Sequence, residues 1–340
     1  MTKRWQKRPE GSNWGEFGED DQRGRMNLLT PERRLRAFAE AKTGQVFCLS
    51  HPLDRPGGNV LNGSRFPPVF HPVYREGLTY FNLAMEAADP RFTDVGSDEA
   101  IMLYMQYSTH WDAFAHKGTV FDADGDGVAE KVSYNGFRIV DEENGALHGD
   151  LGARAVSAAV MAQTGVQGRA VMVDLRHHFG DGRVAVTHEM LEDVMRKDGV
   201  SVEEGDILCL HTGLGDLIRK ADGRLDQSIR VACPVLDGYD KRLLEWISDI
   251  GVAAIAADNL AVESSSMLGG VDPRVGHRGP QLPLHEHCLV KLGIHLGELW
   301  YLTELAQWLR ANGRSRFLLT APPLNMPGAA GSPVTPVATV

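Results

Sequence analysis

The chain has 340 residues, is 43% hydrophobic and 24% charged, and carries a formal charge of −10 with its 13 histidines neutral. That much apolar matter supports a large packed core and excludes general disorder. The acidic balance opposes a nucleic-acid partner, which needs clustered Lys and Arg to meet phosphates.

Met1 to Gly18 is polar and mixed in charge, without the apolar stretch of a signal peptide, and no apolar run of roughly 18 residues follows anywhere. No membrane span is expected, and the cytoplasm is the simplest location. The first thirty residues read as an N-terminal arm. "TPERRLRAFAEAKTG" then predicts a helix with Thr30 as cap, Pro31 at the first helical position and Gly44 as the stop. "QVFCLS" reads as a strand, and His51 to Pro90 as a long irregular loop of the kind that often serves function. Glu99 to His116 starts as an apolar strand and ends in a polar, histidine-bearing corner. Beyond Asp150 the strands "RAVMVDL", "DILCLHTG" and "VAAIAADN" alternate with the helices "THEMLEDVMRKDG" and "DKRLLEWISDIG", followed by a helical segment after Pro283 and the strand "RFLLTAP". This rhythm favours a single α/β domain over 1–340 with a mixed, partly parallel sheet and flanking helices. Residues 321–340, rich in Pro, Gly and Ala, read as an extended tail. Cys48, Cys209, Cys233 and Cys288 form no C-x-x-C pair, and buried free thiols are expected.

Side chains at i, i+4 and i+6 of an extended segment point one way, so Gln106, His110 and Asp112 converge if this stretch is a strand. In a helix His110 and Asp112 would diverge. Imidazole, carboxylate and amide oxygen are ordinary ligands for Zn²⁺, Mn²⁺ or Fe²⁺; the alternative is a polar strand end with a hydrogen-bonded histidine. His116, four residues after Asp112, is either a proton shuttle, its unperturbed pKa being roughly 6.5, or a surface histidine. A second cluster holds His285, Glu286, His287, His295 and Glu298 within fourteen residues. So many ionisable groups in an apolar stretch are costly to bury unless paired or coordinated, though spacing does not say which one binds. "DADGDGVAEKVS" begins like a calcium loop at Asp122, Asp124 and Asp126 but ends on Ser133 where a bidentate Glu is needed, so it reads as an acidic turn. His177 and His178 read as solvated, and His188 and His211 have no ligand pattern around them. No nucleophile elbow, Walker loop or dinucleotide fingerprint is present in the sequence.

"STHWDAFAH", Ser108 to His116, resembles the H-x-G-T-H-x-D-x-x-x-H signature of the metal-dependent cyclase family, which includes bacterial kynurenine formamidase and isatin hydrolase. "NWGEFGEDDQRGRMNLLTPE", "GDILCLHTG", "IAADNLAVE" and "LHEHCLVKLGIHLGELWYLTELA" extend the likeness along most of the chain, with Cys288 where the family pattern has a leucine. The resemblance implies a swivelling β/β/α architecture, assembled as a homodimer or homotetramer. It also implies one or two divalent metal ions, Mn²⁺ or Zn²⁺, on His110, Asp112, His285 and Glu298. His285 is preferred over His287 because the spacings to Gly293 and Gly297 then align. By the same likeness His116 transfers protons, and Trp14 and Phe17 contact substrate in a neighbouring subunit's pocket, unless they anchor the arm on their own subunit. The family's first signature histidine falls on Gln106, whose amide oxygen suits a hard cation better than zinc. A single ion, or a degenerate member with little activity, fits that departure. The expected reaction is hydrolysis of a small amide, lactam or lactone; a non-catalytic binding relative and a polyketide-type cyclase or dehydratase are the alternatives.

Overall fold

Ile207–His211 and Ala254–Ala257 are buried at every position, which marks strands covered on both faces. In the computed structural model, which describes residues 4–143, 146–148, 152–264 and 279–340, they lie in the middle of a nine-stranded sheet. The strands are β1 (Val46–Cys48), β2 (His110–Asp112), β3 (Gln167–Asp174), β4 (Ile207–His211), β5 (Ala254–Ala257), β6 (His295–Glu298), β7 (Arg316–Thr320), β8 (Gly331–Pro333) and β9 (Val337–Thr339). Their order is β1-β9-β7-β3-β4-β5-β6-β2-β8. From β3 to β6 the pairing is parallel, and every other pair is antiparallel.

The parallel strands need helical crossovers. The main helices are α1 (Pro31–Phe38) before β1, α2 (His188–Lys197) between β3 and β4, α3 (Leu214–Ala221) and α4 (Lys241–Ile250) between β4 and β5, and α5 (Thr303–Ala311) between β6 and β7, so that α2 to α4 lie in the parallel crossovers. Local chemistry starts them where the sequence predicts. Thr30 accepts from Arg33 N with Pro31 at the first position, Thr187 accepts from Met190 N, and Asp240 accepts from Arg242 N. The buried pairs Leu191/Val194 and Leu243/Ile247 are three and four residues apart, so each helix lays one face on the sheet. Helix α1 ends at Phe38, earlier than the Gly44 stop; Gly44, at φ +73°, instead turns the chain into β1.

Residues 321–340 are not a free tail. β8 and β9 lie in the sheet, with Ser332, Ala338 and Val340 fully buried. The two strands are joined by three residues, yet β8 is last in the strand order and β9 is second, beside β1 at the other edge. A flat sheet would hold them roughly 30 Å apart at the usual strand spacing, whereas the link spans at most about 14 Å. The sheet therefore curls until its edges nearly meet. Pro333 is tolerated because β8 is an edge strand.

The N-terminal arm is fastened to its own subunit. Trp14 is 1% exposed and donates from Nε1 to the Val290 carbonyl at 2.7 Å, and Asn13 donates to the Leu292 carbonyl at 3.0 Å. Gly24 packs so closely on Gly293 that a Cβ would lie 2.3 Å from the Gly293 oxygen. The stretch expected as irregular after His51 instead forms short paired strands, Val69–Pro72 with Glu99–Met102, Tyr74–Arg75 with Leu78–Thr79, and Leu83–Ala84 with Val95–Gly96. Among the described residues no helix is long and apolar enough to cross a membrane.

Candidate metal centre

The centre forms where the parallel strands end and the sheet turns antiparallel, outside the carboxyl ends of the strands, the usual ligand position in such sheets. β6 and β2 pair with Glu298 opposite His110 and Leu296 opposite Asp112. Residues opposite, and two apart, share a face, so Glu298, His110 and Asp112 point into one space. Thr109 fixes the start of β2: its hydroxyl donates to the Leu299 carbonyl at 2.5 Å and accepts from His51 N at 2.9 Å. His285 arrives from another direction, at the end of the helical turn Pro283–His285 that runs into the π-helix Glu286–Leu292. Such π segments are frequent at functional sites because they re-aim side chains.

Ligand atoms of His110, Asp112 and Glu298 lie within 4.8 Å of one another. His110 Nε2 is 3.6 Å from Asp112 Oδ1 and 3.7 Å from Glu298 Oε2, and His285 Nε2 is 3.1 Å from Glu298 Oε1 and 3.8 Å from Asp112 Oδ2. The partners of the Nδ1 atoms set both tautomers. His110 Nδ1 faces the Ser108 carbonyl at 2.7 Å, and His285 Nδ1 faces Glu263 Oε1 at 2.9 Å. Both partners can only accept here, so both Nδ1 atoms carry protons and the Nε2 atoms face the shared space.

Three atoms there, His110 Nε2 and both carboxylate oxygens of Asp112, are buried without a hydrogen-bond partner. Unpaired buried acceptors are costly, and four nitrogen and oxygen donors converging on one point are what a divalent cation requires. The residues therefore fit a metal ion. Without one, the charges conflict. Burial and the neighbouring Glu298 charge push the Asp112 carboxyl up to about 8, while burial lowers His110 to about 4. His285 is raised to about 10 because its bonds and charge attraction to Glu263 and Glu298 outweigh burial. Glu298 is held below the usual carboxylate range, since the His285 bond and the two histidine charges overcome burial.

His116 ends a short 3-10 turn, Phe114–His116, with Nε2 3.7 Å from Asp112 Oδ1 and its side chain 18% exposed. Burial, then the His285 charge, lowers its pKa well below the usual value. It stands at the edge of the centre and lines a cavity of about 290 Å³ that also reaches His285 and Glu298. A larger cavity of about 620 Å³ touches this region only through His116 and its neighbours and contains none of the four ligands.

Gln106 does not follow the strand argument. The strand begins only at His110; Gln106 lies in the preceding turn, where Arg65 takes its carbonyl at 2.8 Å. Its amide lies against Gly331, 2.5 Å from where a Cβ would be. Among the described residues no hydrogen bond joins its side chain to the four-residue cluster. Trp14 is buried in its own core and Phe17 is half-buried, and neither lines the cavity at the centre. His287 bonds Ser248 Oγ at 3.0 Å, and His295 stacks on Phe114 at 3.9 Å while bonding the Asp112 carbonyl. They are structural neighbours of the centre.

Sequence reasoning missed Glu263. It is fully buried and accepts from Leu284 N at 3.0 Å, His285 N at 2.9 Å and His285 Nδ1 at 2.9 Å. Its one signal was a carboxylate closing the segment "IAADNLAVE", five residues after Asp258. His211, which has no ligand pattern around it in the sequence, bonds Asp174 Oδ1 at 2.7 Å and Thr303 Oγ1 at 3.1 Å, a buried brace across the ends of β3 and β4 and the start of α5. Asp122 and Asp124 gather with Glu130, but backbone N–H groups of the turn, Lys7 and Arg138 already occupy their oxygens, as an acidic turn requires. Cys209, Cys233 and Cys288 are buried free thiols, while Cys48 is exposed.

A family model described as "Putative cyclase" matches residues 47–264. A crystal structure of a novel cyclase is similar at 31% identity over 97% of both chains, with a TM-score of 0.72. Isatin hydrolase A from Ralstonia solanacearum is similar at 16% identity, covering 91% of this chain and 97% of that one, TM-score 0.54. Isatin hydrolase A from Labrenzia aggregata is similar at 14%, covering 87% and 93%, TM-score 0.52. At such identities the two hydrolases share the fold. No curated protein matches the chain.

Proposed function

As the chain belongs to this cyclase family, we propose that it is a metal-dependent hydrolase that adds water across the C–N or C–O bond of a small amide, lactam or lactone. The observation that carries this is the convergence of three unpartnered buried acceptors, on His110 and Asp112, with Glu298 and His285 beside a solvent-reaching histidine. His110, Asp112, His285 and Glu298 would hold one Mn²⁺ or Zn²⁺; Gln106 is not needed for a four-donor set. A cation there supplies Lewis-acid polarisation of the scissile carbonyl and acidification of a water molecule.

The chain's own residues do the rest. Glu263 and the Ser108 carbonyl hold the two imidazoles in the tautomer that turns Nε2 inward. His116 takes a proton from the attacking water and returns it to the leaving nitrogen or oxygen, so the products are an acid and an amine or alcohol. The trial uses purified protein with added Mn²⁺ or Zn²⁺ and a panel of N-formyl aromatic amines, isatin-like lactams and small lactones. Metal-dependent appearance of the acid supports the reading. No hydrolysis of any class would leave a binding relative, and a cyclised or dehydrated product would replace hydrolysis by cyclase chemistry.

A further inference from the structure

The cavity that opens on His285 and Glu298 is also lined by Arg65 and Lys117, with Leu61, Leu260 and Leu282 as apolar wall. We propose that this cavity selects substrates carrying a carboxylate beside an apolar body, with Arg65 and Lys117 as the anion-binding pair; the word substrate rests on the hydrolase reading. Among the described residues neither cation has an ion-pair partner, although many other arginines of the chain do, including Arg33, Arg55, Arg91, Arg169 and Arg176. Arg65 uses NH1 on the Gln106 carbonyl, which fixes the guanidinium and leaves its other donors for a planar anion. The charges of both residues reach Asp112 and His116. Asp112 and Glu298 offset a divalent ion charge for charge, and Glu263 lies behind His285 on its Nδ1 side. The face turned to the cavity is therefore left positive. Arg230 lines the same wall but is already engaged, and the inference does not use it.

The test is isothermal titration of the metal-loaded full chain with benzoate and with its neutral isostere benzamide, in low and high salt. Benzoate is expected to bind at least about tenfold more tightly, less so at high salt, and Arg65→Gln and Lys117→Gln should each cut benzoate affinity about fivefold or more with metal content unchanged. Equal binding of the two probes overturns the proposal because the site then ignores the charge, and benzoate affinity unaffected by both variants overturns it because benzoate would then be held by the metal alone. Binding needs no turnover, so loss of the hydrolase reading leaves this readout intact. Hydrolysis without any preference for the anion removes only the present inference.

Discussion

Replacing Glu263 with Gln removes one charge and keeps the shape of a fully buried side chain. Glu263 Oε1 accepts from His285 N and Nδ1, both at 2.9 Å, and Oε2 accepts from Leu284 N at 3.0 Å. An amide can keep its oxygen toward His285, but its NH₂ then faces the Leu284 N–H, donor against donor. A buried unsatisfied donor costs about 1–3 kcal/mol, so unfolding by denaturant should fall by that much. The second effect is on His285, whose Nε2 becomes a poorer donor without the carboxylate behind Nδ1. Loss of such a partner weakens metal binding by roughly 10- to 100-fold, or about 1.4–2.7 kcal/mol. Competition with a coloured chelator measures it directly. Metal affinity within twofold of the parent, in a variant shown to be destabilised, would refute the orienting role.

His116→Ala should keep full metal content and lose turnover by roughly 10² to 10⁴-fold; unchanged hydrolysis would remove the proton-transfer role. His110→Ala should purify with little metal by elemental analysis, and full occupancy would contradict the ligand assignment. A Cβ on Gly238 would lie 1.9 Å from Glu263 Oε2, so Gly238→Ala should cost about 1–3 kcal/mol and weaken metal binding in the same direction as Glu263→Gln; parent-like affinity would sever that link. Burial, with Lys291 nearby, lowers His287 to about 4 from 6.5. Between those values the unfolded chain binds more protons, so stability is full above about pH 6.5 and falls toward pH 4, by about 3 kcal/mol for this group. His287→Gln should flatten the stability profile across that window, and an unchanged slope would show that other groups set it.

The alternation of strands and helices after Asp150 was legible because each buried strand is an uninterrupted apolar run and each helix carries a cap, as at Thr187 and Asp240. His110 and Asp112 were legible because their spacing matters on a strand, and the strand formed. Gln106 was misplaced by the same rule. It assumed extended backbone back to 106, where the Arg65 bond and a turn intervene. The tail misled because Pro and Gly suppress strand signals, yet three-residue strands with Ser332 and Ala338 inside need little propensity once the curled sheet receives them, β8 at its edge and β9 between β1 and β7. Glu263 was hidden for a deeper reason. Its role comes from the loop after β5 passing under the turn at His285, a contact between residues 22 apart that no local pattern records.

The central claim is that His110, Asp112, His285 and Glu298 hold a divalent cation. Anomalous diffraction from a crystal grown with Mn²⁺ or Zn²⁺ tests it most directly. The account predicts one strong peak about 2.0–2.3 Å from ligand atoms of these four residues, with Gln106 outside its coordination sphere. A peak confined to the acidic turn at Asp122, Asp124 and Glu130, or none at the strand ends, would contradict it.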